Sequence, residues 1–237
     1  MDTGGRVNEP ARRRPGGRQV IPRPEAWRLG GGPPWGDVDR PPTLDAVLRR
    51  VRGRAPGRIA PPFPDARSSA VLVLLQQGPE GPEALFTRRA QHLRHYRGEV
   101  SFPGGRMEPG ETPEQAALRE ACEEVNLDPA VVTLHGELDH LSTVVSRSYI
   151  IPVVATVDDP VELHPAPGEV ERILWVSLAE LSREDTYREE WWGTPPLDRP
   201  VFFFELDDET IWGATGRMLH QLLRLAHDVE GDEPLSW

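Results

Sequence analysis

Residues 104–127, GGRMEPGETPEQAALREACEEVNL, constrain the chain more than any other stretch. Two glycines are followed by an acid-bearing turn, and the residues after it predict a helix over 113–125. With Glu120 at 0° on a helical wheel, Glu123 falls near about −60° and Glu124 near about +40°. Ala116 and Ala117 fall between and beside these acids, while Leu118, Ala121 and Val125 fall at about 100–160°, on the other side. The expected helix packs an apolar face on a sheet. Its acidic face carries small alanines that let a ligand come close. Like charges at i,i+4 cost about 0.2–0.5 kcal/mol per pair in an isolated helix, so a cation on that face would relieve the repulsion. Hard oxygen donors at this density suit Mg2+ or Mn2+, which bind carboxylates together with substrate phosphates. A solvated acidic face has the same local pattern, so the flanking residues must decide.

The 237 residues suit one domain with an appendage. The net charge of −11 is unevenly spread: residues 1–58 hold 13 Arg against 6 Asp and Glu, and the remainder holds 14 Arg against 32 acids. An acidic body excludes broad nucleic-acid binding by that body. The chain has no Lys, and its one cysteine, Cys122, excludes an internal disulfide framework and suits a reducing cytoplasm. No apolar run of about 18 residues reads as a membrane span, and the arginine-bearing start lacks the apolar core of a secretory signal.

Along the chain, residues 1–42 are a Pro-, Gly- and Arg-rich arm, expected to be disordered or loosely docked, with Trp27 and Trp35 able to pin it. A short helix over 43–51 and a Pro-rich linker fill 43–66. An ordered domain is expected over 67–230. It begins with a buried strand at 69–75 and its hairpin partner at 83–89. Further strands are expected at 98–102, 131–141, 148–157 and 200–206, a strand running into a helix at 171–181, and a closing amphipathic helix at 212–229. This irregular order predicts an α/β (α+β) fold with a mixed sheet rather than a doubly wound one.

From Gly105 onward the spacing is Gly, five residues, Glu111, seven residues, Arg119-Glu120, two residues, Glu123-Glu124, one residue, Asn126-Leu127. This resembles the Nudix box, G-x5-E-x7-R-E-U-x-E-E-x-G-U, at every charged position. Asn126 stands where the family usually has Gly, at a helix end where Asn is the usual substitute. The resemblance implies an αβα sandwich with a loop–helix–loop motif and metal-dependent hydrolysis of a nucleoside diphosphate linked to another group. It further implies Glu120, Glu124 and Glu123 as metal ligands, with carbonyls of Gly104 or Gly105 completing the shell, and Arg119 as the residue that orders the acids.

The preceding segment, LFTRRAQHLRHYRGEVSFPGG at 85–105, resembles the coenzyme A pyrophosphatase branch of that family, as do IIPVVATV and IWGATGRML further on. Tyr96 departs from the usual His and Phe86 from Leu. The branch implies coenzyme A or an acyl derivative as substrate, with 3′,5′-ADP and 4′-phosphopantetheine as products. Arg88, Arg89, Arg94 and Arg97 are the candidate phosphate ligands, Arg89 and Arg94 matching the branch pattern, because the guanidinium fork suits phosphate. The catalytic base is Glu123 or Glu169, whose Glu169-Val170 pair resembles the end of a branch segment. The seven histidines lack metal-ligand spacing, and Cys122, beside two glutamates, is a poor nucleophile. ADP-ribose, nucleotide sugars and dinucleotides are alternative substrates, and a non-catalytic nucleotide-binding module is a second alternative. A small-molecule substrate is expected, with no nucleic-acid or membrane partner. The oligomeric state stays open, a homodimer being one option.

Overall fold

The computed structural model describes residues 14–36, 41–61, 63–93, 97–143 and 147–229. The arm contributes strand β1 (Trp27–Leu29). Helix α1 (Leu44–Arg52) starts at Thr43, whose hydroxyl accepts from the Ala46 N–H, and buries Val47, Leu48 and Val51 at helical spacing. Strands β2 (Arg67–Gly78) and β3 (Gly81–Arg89) form the expected hairpin. Two short strands follow, β4 (Val100–Ser101) and β5 (Gly104–Arg106). Helix α2 (Pro113–Val125) then keeps the expected bounds.

The strand expected over 131–141 is instead a 3-10 turn at Pro129–Val131, then β6 (Val132–Glu137) and β7 (Leu141–Thr143). Both lie along one neighbour, β8 (Ser148–Val157), and a register shift between Leu134 and Gly136 interrupts the ladder. Strand β9 (Val170–Ser177) runs directly into α3 (Leu178–Leu181), as its sequence suggested. Strands β10 (Tyr187–Trp192), β11 (Arg199–Glu205) and β12 (Thr210–Ile211) lead to α4 (Gly213–Ala226).

The larger sheet runs β4-β3-β2-β8-β6, with β5 on β2, β7 on β8 and β9 on β3. Its β2–β8 pair is parallel and the rest antiparallel, so the sheet is mixed. Successive β2 residues alternate faces. Leu72 and Leu74 meet α2, while Val73 and Leu75 meet the core formed with α1, α4 and β11. Helices therefore cover both faces, as an αβα sandwich requires.

Of the second sheet, β1-β10-β11-β12, the sequence showed only β11, as the strand expected at 200–206. Its strand β10 buries Arg188 and Glu190, which break the expected apolar alternation; Glu190, fully buried, accepts from Arg188, Arg23 and the Trp192 indole. The described part of the arm lies on this sheet. Its β1 pairs with β10, Arg23 grips Glu190, and the Trp35 indole donates to the Ser182 carbonyl at 2.8 Å.

Beside Trp35, the His220 ring sits edge-on to Phe202 and Tyr187 and is only 4% exposed. Burial, with Arg224 and Arg217 nearby, pushes its pKa down to about 3. Above the ordinary value of 6.5 both folded and unfolded chains hold it neutral. As pH falls through 6.5, the unfolded chain takes up a proton that the folded one refuses. Stability is then lost by about 1.4 kcal/mol per pH unit until the folded value is reached. The expected result is a melting temperature that declines below pH 6.5 and declines less steeply in His220→Leu. Equal slopes in the two proteins would assign the decline to other groups.

Candidate active site

Helix α2 is built to hold its acids at one place. Thr112 and Gln115 form a reciprocal cap at its start, with Pro113 in the first turn. Asn126 ends it at φ 58°, in the left-handed conformation expected of a Gly substitute, and its N–H bonds back to the Ala121 and Cys122 carbonyls. The buried arc is wider than the wheel suggested. Ala116 and Ala117, expected to face a ligand, are fully buried with Ala121 and Val125 against the sheet. Alanine's small size brings the helix close to β2, so Glu120 and Glu124 lie within the packed arc beside β5. Only Glu123 stands clear, with its side chain 59% exposed.

The glycine turn makes room for these carboxylates. Gly105 lies where a Cβ would meet the Glu120 carboxylate at 2.4 Å. Gly104 pairs with Val71, and its backbone lies near enough to the Glu124 carboxylate to favour the charged form slightly. Glu124 is 5% exposed, and its Oε2 is buried with no partner. Burial first, then the negative charges of Glu169 and Glu120, push its pKa up to about 8. Glu120 is raised by burial as well, against the lowering effect of Arg119. Such destabilised oxygen donors suit a hard divalent cation. Among the described residues, no three His, Cys, Asp or Glu side chains converge at metal distance.

Arg119 gathers the acids of the turn. Its Nε and Nη2 take both oxygens of Glu111 at 2.8 and 3.1 Å, and its Nη1 reaches Glu120 at 2.9 Å and Glu123 at 3.2 Å. Nη2 also donates to the Arg106 carbonyl. The guanidinium thereby fixes the helix, the turn and β5 relative to one another, and the bond from Arg119 holds Glu111 below the usual carboxylate range.

Glu169 arrives from the loop before β9. That loop is fastened to the end of α2, with the His164 N–H on the Val125 carbonyl and the Ala166 N–H on the Glu124 carbonyl. Its other end is tied to β3 by the Ala90 N–H on the Glu169 carbonyl. The charge of Glu169 is felt by both Glu120 and Glu124. Arg89 faces it across 3.5 Å and keeps a buried, unpartnered Nε. Glu99, which the sequence reading passed over, lies beside Arg89 and is raised by burial; its signal was the GEV step within the same segment.

The four candidate arginines separate. Arg89 stays at the carboxylate site. Arg88, next along the strand, turns to the opposite face and is held by Glu209 at 2.5 Å and Glu171 at 3.2 Å. Arg97 is exposed. Arg94 and Tyr96 lie outside the described residues. Cys122 is a free thiol at the exposed side of α2, and no helix among the described residues is long and apolar enough to cross a membrane.

A turn borne on a mixed sheet, followed by a helix that sets Glu120 and Glu124 beside it, is an arrangement suited to phosphorus–oxygen hydrolysis. The NUDIX domain model matches residues 66–195, more than half of the chain, and the chain belongs to that family: it is a Nudix hydrolase, an enzyme acting on pyrophosphate-containing small molecules. Members of the family generally use divalent metals such as Mg2+ or Mn2+. The chain is similar to an uncharacterized Nudix hydrolase NudL of Photorhabdus laumondii, 35% identical and covering 66% of this chain and 83% of that protein. It is also similar to Nudix hydrolase 3 of Caenorhabditis elegans, 32% identical and covering 68% and 74%. Among solved structures, RenU, a Nudix hydrolase from M. smegmatis, is 26% identical with a TM-score of 0.43, covering 49% of this chain and 73% of that one.

Proposed function

We propose that the chain hydrolyses the pyrophosphate bond of coenzyme A or its acyl derivatives, giving 3′,5′-ADP and 4′-phosphopantetheine or its acyl form. The observation that carries this reading is the place of Arg89. The segment resembling the coenzyme A branch forms one continuous unit, β3, its connection, β4 and β5. That unit delivers Gly104 and Gly105 to the glutamates and Arg89 to their edge. Coenzyme A carries a 3′-phosphate besides its pyrophosphate and so needs a cation beyond the metal. Arg89 has a spare donor and only a long contact to Glu169, so it can turn to phosphate without breaking a strong pair.

Glu120 and Glu124 would hold Mg2+ or Mn2+, with Glu123 and the carbonyls of Gly104 or Gly105 as further donors. The bound cation would supply neutralisation of the pyrophosphate oxygens and a more acidic water for in-line attack at phosphorus. Glu169 would take a proton from the attacking water: its side chain is 51% exposed and free of the Arg119 hub, to which Glu123 is bound. The water oxygen bonds to phosphorus as the bridging phosphorus–oxygen bond breaks. Arg119 keeps the acids in place throughout.

The test is kcat/KM of wild type and Arg89→Ala on coenzyme A, dephospho-coenzyme A and ADP-ribose. Wild type is expected to prefer coenzyme A. Losing one charge-assisted contact costs about 1.5–3 kcal/mol, so Arg89→Ala should lose roughly tenfold to a hundredfold on coenzyme A and little on dephospho-coenzyme A. Equal losses on both would place Arg89 on the pyrophosphate. A wild type that prefers dephospho-coenzyme A or ADP-ribose would overturn the substrate reading.

A further inference from the structure

On the face of β3 opposite the glutamates lies a cleft of about 700 Å³, and one of its walls is the N-terminal arm. The arm is seated there by the side chain of Arg14, which meets Asp207 at 3.6 Å, and by three hydrogen bonds. The Gly16 N–H reaches the Leu206 carbonyl at 2.9 Å, the Gly17 N–H the Thr210 hydroxyl at 2.8 Å, and the Gln19 amide the Thr210 carbonyl at 2.9 Å. Bare glycine is needed for this approach, since a Cβ at Gly16 would fall 2.6 Å from the Thr210 hydroxyl oxygen.

The cleft and the glutamate site share two strand ends. Arg89 meets Glu169 on one face, and their near neighbours Arg88 and Glu171 meet on the other. Gln91 and Gly98, at the two ends of the connection from β3 to β4, line the cleft. Arg89 and the cleft thus lie at the same end of β3, on its two faces, so a substrate with phosphates by Arg89 has the cleft close at hand.

We infer that this arm-walled cleft is a second substrate subsite, which takes the uncharged, amide- and hydroxyl-bearing half of the substrate. The inference rests on the coenzyme A reading, in which that half is the pantetheine chain.

The lining chemistry selects that class. The acids of the cleft are matched by arginines: Arg88 holds Glu209 and Glu171, Arg172 holds Asp208 and Glu209, and Arg14 meets Asp207. A further phosphate would have to break these pairs and would gain little here. The walls include three glycines and one proline but no large apolar side chain, so a long acyl group gains nothing by entering. Amide and hydroxyl donors match the Asp207 carboxylate, 83% exposed with only a long contact to Arg14, and the second oxygen of Asp208, whose Oδ2 is held by Arg172. Amide carbonyls match Arg18, Gln91 and the Arg88 Nε, which is buried without a partner. The 3′-phosphate half then stays with Arg89, which sets the direction in which the substrate lies across the site.

The experiment fills the cleft from its rim. Asp207 has a side chain 83% exposed, so Asp207→Trp adds bulk without entering the core; because it also removes the 3.6 Å contact to Arg14 on the arm, Asp207→Ala, which loses that contact without adding bulk, is the control and should leave KM little changed. The readouts are KM, kcat and melting temperature of the full-length protein. The substrates are coenzyme A and a 3′-phosphoadenosine 5′-diphosphate methyl ester, which lacks the pantetheine half. The subsite predicts a rise in KM for coenzyme A of roughly tenfold, with kcat little changed, as for binding lost equally from ground and transition states. The methyl ester should be unaffected, and Arg18→Ala should shift KM in the same substrate-selective way. Unchanged KM for coenzyme A in Asp207→Trp and Arg18→Ala, or equal shifts on both substrates, would overturn the subsite. If wild type prefers ADP-ribose, the substrate reading fails separately, and ADP-ribose against ADP methyl ester still tests the cleft.

Discussion

Glu124→Gln is expected to remove most of the turnover while leaving the protein folded. The amide keeps the shape of the side chain beside Gly104, but it cannot carry charge. In the folded chain the Glu124 carboxylate is buried and repelled by Glu169 and Glu120, so its loss relieves the fold. The melting temperature should therefore be equal to or above that of wild type. Loss of an electrostatic group of this kind costs about 10²–10³ in rate, and Glu120→Gln belongs to the same class. Mg2+ should raise the melting temperature of wild type by mass action and fail to do so in Glu124→Gln. Near wild-type turnover of both variants at saturating metal would contradict the ligand assignment. Within the same series, Glu169→Gln should lose about 10² in rate, and Glu123→Gln less than tenfold. The reverse order would move the base to Glu123.

Gly104→Ala should be the most damaging small change to the fold of the site. Gly104 has φ 155°, and a Cβ there would lie 2.4 Å from the Ala70 carbonyl oxygen and 2.6 Å from the Val71 Cα. Both obstacles are backbone of the central strand and cannot swing away. Overpacking of this kind costs about 1–3 kcal/mol, and a strained backbone of order 1–3 more. The melting temperature should fall by roughly 5–15 °C for a chain of this size. Activity should fall with it, because β5 would lift from β2 and carry Gly104 away from Glu124. Gly105→Ala, whose Cβ meets the far end of a movable Glu120 side chain, should affect metal binding more than stability. A Gly104→Ala protein melting within 2 °C of wild type, roughly 1 kcal/mol or less, would show that β5 can shift freely.

What could be read from the sequence was local. Helix α2 kept its bounds because its caps, its apolar spacing and its terminal Asn126 all lie within fifteen residues and act on the same backbone. The hairpin of β2 and β3 was legible for the same reason, and so was the run of β9 into α3. The motif spacing named the acids of the turn before any fold was known, since helical geometry alone puts Glu120, Glu123 and Glu124 on neighbouring positions.

Tertiary structure decided the rest. Strand alternation sends Arg88 and Arg89 to opposite faces, but only the partners on those faces assign Arg88 to Glu209 and leave Arg89 beside Glu169. Loop closure against α2 brings Glu169 within range of Glu124, forty-five positions earlier in the chain. Beyond β11 the second sheet was hidden, because β10 buries a charged Arg188 and Glu190, which only distant partners, Glu205 and the arm's Arg23 among them, make tolerable. The arm itself has too few apolar residues to order alone, and its described part gains its place from hydrogen bonds that the body supplies. Sequence thus determined what repeats within a helical turn or a hairpin. The fold determined which side chains meet, because a contact between residues far apart in the chain depends on every element that brings them together.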